Sequence, residues 1–111
     1  MKPFKEAEGY LDDLQAAYDY YRAYGPQTAH RFIAAYEEAE RTLVRHPHIC
    51  RPRPHGWRQM VIRRYPNYSV FYKELPRCWL IGGLVSTSAD PDAIQARLLV
   101  REVGETSDDS R

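Results

Sequence analysis

The dipeptide Gly25-Pro26 constrains this 111-residue chain more than any other feature, because it interrupts an apolar stripe without ending it. Ahead of it, from Glu6 to Tyr24, the residues Tyr10, Leu11, Leu14, Ala17, Tyr18 and Tyr21 recur at intervals of three and four, with Asp12, Asp13, Gln15 and Asp19 on the other side. That spacing predicts an amphipathic helix. Glycine supplies a left-handed cap, and proline cannot continue the hydrogen-bond ladder but sits well in a first turn, so one helix stops and another begins. In the second helix, predicted over 27–45, Ala29, Phe32, Ile33, Tyr36, Ala39 or Glu40, and Leu43 carry the stripe on towards Pro47. Arg41, Arg45 and His46 fall near its negative dipole end. Neither helix can bury its stripe alone, and the short break folds them into a hairpin.

Beyond Pro47 the pattern changes. The stretch His48-Ile49-Cys50-Arg51-Pro52-Arg53-Pro54-His55-Gly56 is basic, and each proline pushes the residue before it out of helical conformation, which predicts an extended loop. Three runs with strand character follow: 58–65 around Met60-Val61-Ile62, 68–73 around Val70 and Tyr72, and 78–85 around Leu80 and Ile81. Pro66-Asn67 and Glu74-Leu75-Pro76-Arg77 join them, loops short enough to require antiparallel neighbours. Strand alternation sends Arg58, Met60, Ile62 and Arg64 to one face, and Trp57, Gln59, Val61 and Arg63 to the other. After Asp90-Pro91 a short closing helix is expected over 92–103 with Ile94, Leu98 and Leu99 inward, and 104–111 reads as a frayed acidic tail.

This order predicts the α+β class, as one domain over residues 1–103. A short first strand precedes a helical hairpin packed on one face of a small antiparallel sheet, and the other face is left open. Such a core is thin, so a partner is expected to cover exposed sheet or edge.

The net charge of +1 conceals a segregation: residues 1–40 hold four basic and eight acidic side chains, residues 41–80 nine and one, and residues 81–111 three and six. The middle third therefore reads as a patch for phosphate or an acidic partner. At 43% apolar and 28% charged, the composition excludes intrinsic disorder. No apolar run is long enough to span a membrane, and the amino end enters charged sequence at once, which predicts a cytoplasmic protein. Cys50 and Cys78 have neither the spacing of a metal knuckle nor the density of a disulfide framework, so reduced, inert thiols are expected. His46-Pro47-His48 has no third ligand nearby, and no phosphate loop or nucleophile elbow occurs, so neither metal nor cofactor is expected.

Several motifs in series resemble the RelE/ParE superfamily of toxins from type II toxin–antitoxin modules, over roughly residues 5–92. They are Tyr18-Asp19-Tyr20-Tyr21 closing the first helix; Ala29, Phe32 and Ala39 in the second; Arg58; Tyr65-Pro66-Asn67-Tyr68-Ser69-Val70-Phe71-Tyr72; and Leu84-Val85 leading to Asp90-Pro91. The resemblance implies a growth-inhibiting, plasmid-stabilising toxin bound in a hetero-oligomer by a cognate antitoxin, whose acidic and apolar tail wraps the sheet and hairpin. It implies DNA gyrase as the target of ParE-like members and ribosome-bound mRNA as that of RelE-like members. Two departures bear on the choice. Only Met1 to Lys5 precede the first helix, where relatives carry a longer strand. Ser86-Thr87-Ser88-Ala89 stands where many relatives carry the histidine and arginine used by ribosome-dependent RNases. Gyrase inhibition is the favoured reading, with an mRNA interferase and a non-toxic antitoxin-binding relic as alternatives.

A metal-independent RNase needs an activator for the 2′-hydroxyl, a cation for the phosphorane charge and an acid for the leaving oxygen. Arg58, Tyr72 and Lys73 are the catalytic candidates. Arg51, Arg53, Arg58, Arg64 and Tyr68 are the candidates for contact with target or antitoxin. Alternation separates Arg63 from Arg64, and Ser86 and Thr87 cannot carry a proton near neutral pH as histidine does. Arg58 has a second reading as an ion pair with Asp12 or Asp13. Tyr10, Tyr18, Tyr21 and Tyr36 read as core residues with satisfied hydroxyls.

Overall fold

The structure is a computed structural model that describes residues 2–109. In chain order it comprises β1 (Phe4–Glu6), α1 (Tyr10–Arg22), α2 (Pro26–Arg45), β2 (Trp57–Val61), β3 (Tyr68–Glu74), β4 (Trp79–Ser86) and α3 (Pro91–Asp109). Gly25 takes φ 132°, which an L side chain rarely adopts, and Pro26 opens α2, so the hairpin forms at the expected break. α1 starts at Tyr10 rather than Glu6, because β1 and a turn through Gly9 occupy the preceding residues.

The strand order is β1-β4-β3-β2. The antiparallel meander β2-β3-β4 is present as its short loops require, but β1 lies parallel to β4, pairing Phe4 with Trp79 and Glu6 with Ile81. The sheet is therefore mixed rather than wholly antiparallel: the chain leaves β1, crosses the hairpin and re-enters at the opposite edge. On the hairpin face Tyr10, Ala17, Phe32 and Leu43 meet Ile62, Val70 and Tyr72, all withdrawn from water. Burying each of the larger side chains contributes about 1.5–3 kcal/mol.

The second face is not open. α3 lies across it, and Ile94 and Leu98 pack on Trp57, Phe71, Leu80 and Val85. This helix also outruns its expected end at Val103, continuing to Asp109, so most of the tail expected to fray is helical and 110–111 lie outside the described residues. Leu99, expected inward, is exposed. Glu105, which looks solvated in the sequence, holds the extension, whereas Glu102 lies within the expected helix. Glu102 pairs with Lys73 at 2.9 Å, and the buried Glu105 pairs with Lys5 at 2.8 Å.

The register between β3 and β4 slips by one residue between Phe71 and Tyr72, which leaves Gly82 as the extra residue of a bulge. A Cβ on Gly82 would lie 2.6 Å from the Trp57 ring, so only glycine lets the indole lie flat on β4. Just past the bulge β1 has already ended, and among the described residues no strand meets the outer edge of β4 there. Arg101 donates to the Gly82 carbonyl at 2.8 Å, and the Leu84 N–H donates to the Asp13 carboxylate at 3.1 Å.

Candidate functional site: an arginine-rimmed groove beside an open strand edge

β2 is an edge strand whose alternation is fixed from both sides. The Ile62 N–H reaches the Tyr68 carbonyl, and the Arg53 N–H reaches the Trp57 carbonyl, so Trp57, Gln59 and Val61 turn their backbone groups away from β3. The loop before β2 covers the start of that edge through a bridge between Pro52 and Arg58. Among the described residues no strand pairs with Gln59–Val61 on the outer side. An uncovered row of backbone donors and acceptors is a template for another chain.

Facing this edge is the side of α2 that carries Ala34, Ala35 and Ala39, and the space between helix and strand is a groove of about 790 Å³ floored by these alanines with Met60 and Val61. Small residues leave it unfilled. Arg31, Arg63 and Arg64 line it, all three exposed and none in an ion pair among the described residues. Lys2, Lys5, Arg41, Lys73, Arg97 and Arg101 all have carboxylate partners. The groove's own carboxylate, Glu38, is bound by Arg41 at 2.7 Å, which holds its carboxyl below the usual range. An apolar floor, unpaired cations and an open edge together suit a segment of acidic and apolar side chains.

The catalytic candidates do not converge. Arg58 and Tyr72 are cross-strand partners on the hairpin face. The Arg58 guanidinium sits 5.6 Å above the Trp79 ring and donates to the Cys50 carbonyl, in place of the ion pair with Asp12 or Asp13 that the sequence suggested. The Tyr72 hydroxyl donates to the Pro47 carbonyl at 2.9 Å, and burial, reinforced by the Cys50 side chain, pushes its phenol well above the usual value. A phenol so held stays protonated and engaged near neutral pH. Lys73 is on the opposite face, 5.7 Å over the Trp57 ring and paired with Glu102.

The contact candidates are also divided. Arg51 and Arg53 are exposed on the segment beside β2, with Arg53 donating to the Gln59 side chain. Arg64 is not on a strand at all: β2 ends at Val61 and Arg64 turns with φ 73°, so the period-two rule stops short of it. For that reason Arg63 and Arg64 line one groove instead of opposite faces. Tyr68 is half-buried beside the turn that carries Arg63 and Arg64, its carbonyl accepting from the Ile62 N–H and its ring against Tyr20, Tyr21 and Phe32 with ring centroids 5.7–6.1 Å away. The Ser86–Ala89 turn uses its hydroxyls internally, Ser86 with Ser88 at 2.8 Å and Thr87 with the Pro66 carbonyl at 3.1 Å. Arg31, Ala34 and Ala35 carry no signal of a site in the sequence, and Ala39 reads there as core. The Ala34-Ala35 pair lies outside the apolar stripe beside a cation, and it becomes a site once Arg63 and Arg64 are folded against it.

A family model described as "ParE toxin of type II toxin-antitoxin system, parDE" matches residues 7–79, from the turn before α1 to the start of β4. The chain belongs to this ParE toxin family. Among solved structures it is similar to a chain of the chromosomal ParDE toxin–antitoxin system from P. aeruginosa, with 22% identity, 78% of this chain and 96% of that chain covered, and a TM-score of 0.68. At that identity the likeness establishes the ParE-like fold. No curated relative matches the chain. Among the described residues no helix is long and apolar enough to cross a membrane.

Proposed function

We propose that this ParE-family toxin is neutralised by an antitoxin segment seated in the groove between α2 and β2, and that it acts on DNA gyrase when released. The observation that carries the reading is the unpaired arginine rim over an apolar floor beside Gln59–Val61. An acidic and apolar tail satisfies rim, floor and edge at once, and a hetero-oligomer follows. Gyrase is favoured over ribosome-bound mRNA because Arg58 and Tyr72 are engaged by the fold, Lys73 lies on the other face, and the turn at Ser86–Ala89 offers no proton carrier near neutral pH. Both targets are cytoplasmic.

Expression of the chain alone is expected to arrest growth, and co-expression of the neighbouring reading frame to restore it. In purified form the chain is expected to inhibit gyrase supercoiling and to leave ribosome-bound mRNA intact. Codon-dependent mRNA cleavage with unaffected gyrase would overturn the target. Normal growth at full expression, with or without antitoxin binding, would overturn the toxin reading.

A further inference from the structure

Arg45 at the end of α2 and Arg51 and Arg53 in the loop that follows are exposed cations, none of which lines the groove. Pro52 forces Arg51 towards extended backbone and bridges Arg58, while Arg53 is itself extended at φ −97°, ψ 178°. Residues two apart in an extended segment project to the same side, about 6.5 Å apart. The segment is held in place: Arg58 donates to the Cys50 carbonyl, the Arg53 N–H to the Trp57 carbonyl, and the Gly56 N–H to the Arg53 carbonyl at 2.9 Å. Arg45 stands in the last turn of α2, where the chain enters the loop. The sequence has no Asp or Glu between Arg41 and Lys73, and none of the three arginines forms an ion pair among the described residues. Glu74, at this end of the sheet, pairs with Lys2 and approaches His48 at 3.8 Å.

The ligand this surface suits is a rigid polyanion. Single-stranded nucleic acid binds through aromatic platforms, and the exposed rings Tyr20 and Tyr24 lie at the far end of α1 with Tyr68. An amphipathic acidic peptide needs an apolar floor, and that lies in the groove, whereas these arginines have only the single exposed side chains of Val44 and Ile49 beside them. The backbone of a duplex requires only cations on a fixed frame. We infer that Arg45, Arg51 and Arg53 contact the phosphodiester backbone of duplex DNA without reading its sequence. These arginines are not among those that line the groove, although Arg53 donates to the Gln59 side chain at the open edge.

The test is fluorescence anisotropy of a labelled duplex of about 20 base pairs with the full chain, from about 50 to about 300 mM salt. Three phosphate contacts give a slope of log affinity against log salt of about −2.7. Arg51→Ala together with Arg53→Ala is expected to bring the slope to about −1 and weaken binding at least about tenfold at the lowest salt, with unaltered circular dichroism. Arg22→Ala, which removes one exposed cation at the end of α1, is expected to change neither. Any of four results would overturn the inference: no duplex binding at the lowest salt, equal loss with Arg22→Ala, tighter binding of the single strand than of the duplex, or displacement of the duplex by poly-glutamate at equal charge. The last would assign the surface to an acidic protein instead.

Discussion

Asp13 and Arg101 complete the outer edge of β4 where β1 runs out. The carboxylate of Asp13 is 2% exposed; it accepts from Arg101 Nη2 at 2.9 Å, from Arg97 and from the Leu84 N–H, while Arg101 also takes the Gly82 carbonyl. Two side chains thus make the hydrogen bonds that a longer first strand would make, and they join α1, β4 and α3. Asp13→Ala leaves a guanidinium and a backbone donor unpaired inside the fold, so a loss of about 3–5 kcal/mol is expected. Asp13→Asn keeps an acceptor and should lose less. Urea denaturation of the three proteins checks the order, and equal midpoints would show that α3 is held by its apolar contacts alone.

The contact between Gly82 and Trp57 makes the second prediction. A methyl group at Gly82 meets an aromatic ring on one side and Leu98 at 3.2 Å on the other, neither of which is a flexible charged end. Gly82→Ala is expected to cost about 1–3 kcal/mol through displacement of the indole. The same variant should show red-shifted tryptophan emission, and an unchanged spectrum with unchanged stability would contradict the packing.

The helical hairpin and the meander were legible in the sequence because each has a strong local cause, the three-and-four spacing around Gly25-Pro26 and the two short loops that bound Tyr68–Lys73. The parallel pairing of β1 was not legible, since three residues carry no period. The full length of α3 was not legible for a different reason: Glu105 looks like part of a solvated acidic tail until Lys5 is placed beside it. The same limit applies to the groove. Strand alternation places Arg58 on the hairpin face, but it ends at Val61, and nothing local brings Arg63 and Arg64 to Arg31.

Arg58 separates stability from recognition. Its guanidinium makes a charged hydrogen bond to the Cys50 carbonyl and covers Trp79. Arg58→Ala is expected to cost about 2–4 kcal/mol, from about 1.5–3 for the bond and about 0.5–1 for the ring contact. Antitoxin affinity per folded molecule should stay within about threefold, or about 0.7 kcal/mol. Full stability with a large loss of affinity would return Arg58 to the binding surface.

Alkali should unfold the protein through its buried tyrosines. Burial, together with neighbouring Glu40, holds the phenols of Tyr10 and Tyr36 protonated far above their ordinary value of 10.0. Unfolded tyrosines lose protons from about pH 10 while the folded ones keep them, so the unfolded state binds fewer protons there. Their contribution to stability is therefore complete below about pH 10 and falls as pH rises past it. Urea midpoints from about pH 8 to about pH 11 test this, and Tyr36→Phe should flatten the decline. An equal slope in that variant would place the alkaline transition elsewhere.

The groove is the proposed seat of the antitoxin, and affinity for the neighbouring gene's product measures that most directly. Reversing Arg31 and Arg64 to glutamate puts like charges against an acidic segment, and a loss of about 100-fold, or about 2.7 kcal/mol, is expected with unaltered circular dichroism. Arg22→Glu, outside the groove, should leave affinity within about threefold. Wild-type affinity in the Arg31→Glu/Arg64→Glu protein would contradict the claim and place the antitoxin on another face.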